Sequence, residues 1–164
     1  MHSKSRFYIQ KLELQEHPEG GYYREIYRSA EMITTEYPGR KKKRNYSTSI
    51  YFLLDGKQVS KFHKLRSDEL WHFYDGSSVA IHVIDENGNY NKLIIGKDIS
   101  SGEVYQTVIK KNSWFAAEVV DKKSFALVGC TVSPGFDFSD FEFGDRDFLI
   151  KSYPEFEDLI LRFT

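Results

Sequence analysis

His63 and Glu69 bring an imidazole and a carboxylate to the two sides of one short polar turn. A histidine titrates near neutrality, and a carboxylate beside it fixes its tautomer and raises its basicity, which suits proton transfer. The same two side chains are also donors to a divalent metal ion, a possible cofactor. Such an ion takes three or four protein ligands, so His72 and Glu118 are the candidates to complete the set. Both chemistries require that His63 and Glu69 reach one interior.

Strand periodicity says how they get there. Residues 59–65 and 70–74 are predicted strands, and as an antiparallel pair with a tight connection they turn His63 and Glu69 to the same side. Alternation sets Glu69, Trp71 and Phe73 on one face and His72 and Tyr74 on the other, a parity that a bulge near His72 would rearrange. Further strands are predicted at 22–27, 47–54, 79–84, 90–95, 104–109, 114–119 and 125–132, separated by Gly-bearing turns. Short strands at this spacing imply an all-β sandwich or barrel. Helices are expected at 6–14 and after Pro154, where Phe156, Leu159, Ile160 and Phe163 recur at helical spacing.

Other side chains take smaller roles. Trp71, Phe73, Trp114 and Phe115 read as core or as the wall of a pocket for a small organic ligand. His82, between Ile81 and Val83, is expected on the opposite face from both, as a surface or dimer-contact histidine. His17 and Glu19 lie in a Gly-rich bend, from which Glu19 could reach a pocket mouth, although capping the local backbone is the expected role. Cys130 reads as a small buried apolar residue. Phe136, Phe138, Phe141 and Phe143 are expected to cover a cavity mouth or a partner subunit.

The bulk numbers narrow the class. A length of 164 residues fits one domain, 1–164, and 13 Phe with 11 Tyr favour half-buried strands. A net charge of −1 calls for neither nucleic acid nor a membrane surface. The basic run Arg40-Lys41-Lys42-Lys43-Arg44 has no interleaved aromatic residues and is expected to be a solvated loop. A single cysteine and a start without an apolar core predict a cytoplasmic protein.

The stretch 60–76 resembles the first motif of the cupin superfamily: His63 stands at its first histidine, Glu69 at its glutamate and Gly76 at its glycine. Leu65 occupies the place of the second histidine. At the second motif Lys110, Asn112 and Phe115 stand at the usual proline, glycine and histidine, so two of the four usual metal ligands are absent. His17-Pro18-Glu19-Gly20-Gly21-Tyr22-Tyr23-Arg24-Glu25, Ser47-Thr48-Ser49-Ile50-Tyr51-Phe52-Leu53-Leu54, Asp68-Glu69-Leu70-Trp71-His72-Phe73 and Val132-Ser133-Pro134-Gly135-Phe136 occur in that order. Together they look like the cupin-5 family, some of whose members carry an epimerase-like label.

What the resemblance implies is an all-β jelly-roll barrel with short N- and C-terminal helices, a homodimer, and a ligand pocket between its sheets. The leading expectation is a small-molecule-binding cupin, epimerase- or isomerase-like towards a sugar-like or carbonyl compound. His63 and Glu69 would then work with Tyr51 or Tyr74 as the opposing acid, and Trp71, His72, Phe73, Trp114, Phe115 and Glu118 would contact the ligand. The alternatives are a binding or sensing protein without turnover, and a metal-dependent enzyme with a reduced ligand set.

Overall fold

Alternating apolar side chains bounded by turns produce strands along most of the chain. The computed structural model describes residues 1–37 and 40–164. Helix α1 (Ser3–Lys11) leads into β1 (Gln15–Glu16), β2 (Tyr22–Arg28) and a hairpin of β3 (Met32–Tyr37) and β4 (Arg40–Asn45). Then come β5 (Thr48–Asp55), β6 (Val59–Leu65), β7 (Asp68–Gly76), β8 (Val79–Ile84), β9 (Tyr90–Ile95), β10 (Gln106–Ile109), β11 (Trp114–Val119) and β12 (Phe125–Ser133). β13 (Phe141–Phe143) and helices α2 (Arg146–Ser152) and α3 (Glu157–Arg162) follow. No helix among the described residues is long and apolar enough to cross a membrane.

Two antiparallel sheets face each other. One runs β1-β2-β5-β12-β7-β10 and the other β13-β6-β11-β8-β9, with β3-β4 apart as a two-stranded ribbon. β6 and β7 are therefore not a hairpin pair, as the tight connection suggested. They belong to opposite sheets, and the Arg66-Ser67 turn carries the chain from one layer to the other. His63 and Glu69 approach the same interior from its two sides.

Between the layers pack Phe52, Leu54, Trp71, Val79, Ile81, Val83, Phe115 and Val128. Each such buried side chain contributes roughly 1.5–3 kcal/mol relative to staying in water. The outer face of the five-stranded sheet is covered by α2 and α3 through Phe62, Ile84, Trp114, Leu149, Ile160 and Phe163. α1 covers Leu53, Phe125 and Leu127 on the other sheet.

Several expectations are corrected. α1 begins and ends three residues early, with the His2 imidazole accepting the Lys4 N–H as a cap. The helix expected after Pro154 is present as a 3-10 turn running into α3, and an unexpected helix, α2, precedes it, capped by Asp145 accepting the Phe148 N–H. His82 does oppose Ile81 and Val83, yet it is not at the surface: Phe163 and Tyr90 cover it at 4 % exposure. The basic run is β4 rather than a loop. Its alternation leaves Lys41 and Lys43 exposed and turns Lys42 and Arg44 onto Asp140. Arg44 clasps both carboxylate oxygens of Asp140, Nε at 2.6 Å and NH2 at 2.9 Å, and both side chains are buried.

Candidate functional site

Period-two alternation on β6 points His63 and Leu65 inward, with His63 opposite Phe115 on β11 and Phe143 on β13. Its ring lies 4.0 Å from that of Phe115 and stacks on Phe141 at 5.1 Å. Nδ1 is 2.7 Å from the Lys61 carbonyl oxygen. A carbonyl only accepts, so Nδ1 carries a hydrogen and Nε2 is the atom whose protonation varies. Nε2 stands 3.1 Å from Glu19 Oε2, a distance at which the two share one proton.

Glu19 arrives by way of a tight bend. The His17 carbonyl accepts the Gly20 N–H, and the Gly21 carbonyl accepts the His17 N–H. Gly20 has φ +110°, and a Cβ there would lie 2.2 Å from the Val59 carbonyl oxygen, so only glycine lets the bend sit this close to β6. Docked there, the Glu19 carbonyl accepts the Lys61 N–H, and its Oε1 accepts from Ser60 Oγ at 2.9 Å. The cap here is the His17 imidazole, whose Nδ1 accepts the Glu19 N–H at 3.3 Å. The Glu19 side chain enters the interior instead of capping the bend.

Glu69 reaches the same interior from β7, opposite Val132 and Ile109. Its Oε2 is buried without a hydrogen-bond partner, as is Trp71 Nε1. Burial pushes both carboxyls, Glu19 and Glu69, up to about 7. For Glu69, the His63 imidazole pulls down and the Glu19 carboxylate adds to the rise. The Trp71 N–H, although outside hydrogen-bonding geometry, still favours the ionised form. Burial holds the imidazoles of His63 and His17 below the usual histidine range, against the pull of the carboxylates.

These groups floor a cavity of about 460 Å³. Its walls are apolar, with Ile50, Phe52, Leu65, Val132, Phe136 and Phe141 among them, and Cys130 lies beside the floor with burial pushing its thiol up. Tyr23, Glu25, Arg28, Asp137 and Phe138 also line it. Arg28 is committed within the protein: Nε and NH2 donate to the two oxygens of Glu25, and NH1 donates to Asn45 Oδ1 and the Phe136 carbonyl.

Of the residues expected at the site, His63 and Glu69 line the cavity. Trp71, Phe73 and Phe115 share its face but belong to the core beneath it. The others point elsewhere, because the neighbouring position on a strand faces the opposite way. His72 lies on the far face of the six-stranded sheet, its Nε2 3.4 Å from Thr131 Oγ1. Tyr51 and Tyr74 are on that far face too, ring against ring at 6.0 Å, with Tyr74 lying across Gly129. The bulge that shifts parity is at Tyr74, the extra residue between the Val128–Phe73 and Leu127–Asp75 pairs. Trp114 faces α2 and holds the Lys64 ammonium over its ring. Glu118 is on the outside of β11 with His82, Lys122 and Arg162. Burial alone would raise its carboxyl, but its bonds to Lys122 and Arg162 hold it at about 2.

The donor set does not fit a divalent metal. The two places a further ligand would occupy are the apolar Leu65 and Phe115, and both nitrogens of His63 are engaged. Among the described residues no three His, Cys, Asp or Glu side chains are grouped to hold an ion. Sequence reasoning set the pocket second to capping for Glu19, and missed Tyr23, Glu25 and Arg28 on β2. The Gly20-Gly21 pair after Glu19 was the available signal of a close backbone approach.

Residues 6–144 match the family model described as "Cupin superfamily (DUF985)". The chain is 31% identical over 146 residues to the uncharacterized protein YML079W of Saccharomyces cerevisiae, a match covering 82% of this chain and 72% of that one. A hypothetical protein from Leishmania major has a similar structure, with a TM-score of 0.89 and 34% identity over 100% of this chain and 99% of that one. Protein SO0799 from Shewanella oneidensis has a TM-score of 0.87 and 37% identity over 100% and 98%. Oxalate decarboxylase from Bacillus subtilis shares the fold alone, with a TM-score of 0.57 and 14% identity over 91% of this chain and 36% of that enzyme. The two facing sheets are the jelly roll of these cupins.

Proposed function

The chain belongs to the cupin-5 family of the cupin superfamily, and from that premise we propose a small-molecule-binding cupin that moves a proton on a carbonyl or sugar-like compound, in the manner of an epimerase or isomerase. One observation carries the reading: His63, Glu69 and Glu19 are all buried and all line one cavity with apolar walls. Glu69 supplies the working carboxyl, because its Oε2 has no hydrogen-bond partner among the described residues. A carboxyl near 7 both takes and returns a proton at neutral pH. The proton leaves a carbon beside the carbonyl for Glu69 and returns to the other face, or to the neighbouring carbon, so nothing is consumed. The proton between Glu19 and His63 Nε2 is available to the oxygen on which charge develops.

The test is deuterium wash-in. The protein is incubated in D2O with a panel of aldoses, ketoses and 2-hydroxyketones, and loss of a C–H signal is followed by proton NMR. Exchange that disappears in folded Glu69→Gln and His63→Ala variants supports the reading. Compounds that bind beside His63 without any exchange would replace it by a binding or sensing role. That second role is favoured by one fact: with Tyr51 and Tyr74 on the far face, Tyr23 is the one phenol among the described lining residues. A homodimer belongs to the same proposal, supported by the exposed Ile26, Tyr27, Met32 and Ile33 on β2 and β3, and sedimentation analysis tests it.

A further inference from the structure

Hydrogen-bond geometry permits a count of charge on the cavity floor. An imidazolium needs a hydrogen on both nitrogens, and His17 Nδ1 is already occupied in accepting the Glu19 N–H. His17 is therefore neutral. His63 has Nδ1–H committed to the Lys61 carbonyl and can become a cation only at Nε2. Two carboxyls, Glu19 and Glu69, thus have one imidazolium between them when both ionise.

The surroundings do not make up the difference. Arg28 is spent on Glu25, Asn45 and the Phe136 carbonyl, and Asp137 at the mouth adds a further acid whose facing cation is Arg44. Cys130 brings no positive charge. The Glu69 carboxyl, 7 % exposed, keeps an unpartnered oxygen on a side chain that lines the cavity. Around the remaining space stand the rings of Tyr23, Phe52, Phe136, Phe138 and Phe141. Carboxylates set among aromatic faces attract an organic cation and repel an anion.

We propose that the cavity takes a small organic molecule bearing one positive charge: an amine whose ammonium end reaches Glu69 and whose apolar or carbonyl-bearing remainder lies among the phenylalanines. This rests on the reading of the cavity as a small-molecule site and narrows it to carbonyl or sugar-like compounds that also carry an amine. Phosphorylated and carboxylate ligands are disfavoured. The ligand supplies the missing cation, so both carboxyls ionise when it is bound, in keeping with their raised pKa in its absence.

Three probes of one shape and different charge test this: benzylamine, benzyl alcohol and benzoate, titrated into the whole protein with the imidazole signals of His17 and His63 followed by NMR. The ammonium's charge-assisted bond predicts that benzylamine binds about tenfold or more tighter than the alcohol, with benzoate weakest. Glu69→Gln removes the preference of amine over alcohol, and in the wild type amine affinity rises from pH 6 to pH 8 as the carboxyls ionise. Benzoate or the alcohol binding as well as the amine would overturn the charge assignment and leave the cavity as a ligand site. None of the three moving the imidazole signals would overturn the site itself, and this inference with it.

Discussion

Replacing Glu69 by glutamine keeps the shape of the side chain and removes its ability to ionise, so it isolates the cost of that charge. The native fold raises this carboxyl from 4.5 to about 7, chiefly by burial. At about 1.4 kcal/mol per pH unit, that displacement corresponds to about 3 kcal/mol. The sign follows from proton counting. Between these two values the folded protein keeps a proton that the unfolded chain has released, so this group's stabilising contribution is whole below about pH 4.5 and is lost as pH climbs through 7. Glutamine has no such loss. Burial lowers the pKa of His17 and His63, and these titrate in the opposite sense, so the wild-type curve alone mixes the two effects. The difference between Glu69→Gln and wild type cancels what is independent of Glu69, such as burial of the imidazoles, and keeps Glu69 with its coupling to His63 and Glu19. Urea denaturation at pH 4, 6 and 8 is expected to show that difference growing in favour of the variant by up to about 3 kcal/mol across the range. A difference that stays flat with pH, or that turns against the variant at pH 8, would refute the claim that this carboxyl is held neutral by its surroundings.

Three other outcomes follow from the geometry. Gly20→Ala drives a methyl into the Val59 carbonyl at a positive φ, and is expected to cost about 2 kcal/mol or more and to move the His63 imidazole resonances as Glu19 is displaced. Asp140→Ala removes the bidentate carboxylate from the buried Arg44 guanidinium, leaving Asp137 at 3.7 Å, and is expected to cost about 3 kcal/mol in chemical denaturation. Tyr51→Phe and Tyr74→Phe remove hydroxyls from the far face of the sheet, and are expected to leave both benzylamine affinity and any deuterium exchange within about twofold of wild type.

His63 and Glu69 were legible in the sequence because the strands that hold them alternate cleanly, and alternation fixes direction once a strand exists. β6, β8, β9 and β11 fall where that pattern sets them. The pattern cannot say which strands share a sheet, and β6 and β7 were separated by the crossing of layers rather than joined by a hairpin. Glu19 could be read only as a residue able to reach a pocket mouth, for a related reason. Its path inward depends on Gly20 meeting Val59, a residue 39 positions further along the chain, and nothing local to the bend specifies that partner. The β3–β4 ribbon escaped because five consecutive bases suggest solvent, whereas Asp140 draws two of them inward from nearly a hundred residues away. His82 was placed correctly opposite its neighbours, Glu118 was expected at the ligand and lies instead on the outer face beside it, and only the packing of Phe163 and Arg162 decides that this face is covered.

The clasp between Arg44 and Asp140 bears on how such a protein diversifies. His63 and Glu69 of the cavity floor sit on strands of the two sheets and Glu19 on a bend docked against β6, while Phe136, Phe138 and Phe141 come from one stretch of chain tethered to the ribbon by that clasp. Substitutions at Phe136 and Phe138 would reshape the entrance and what it admits, whereas Phe141, stacked on His63, ties the same stretch to the floor.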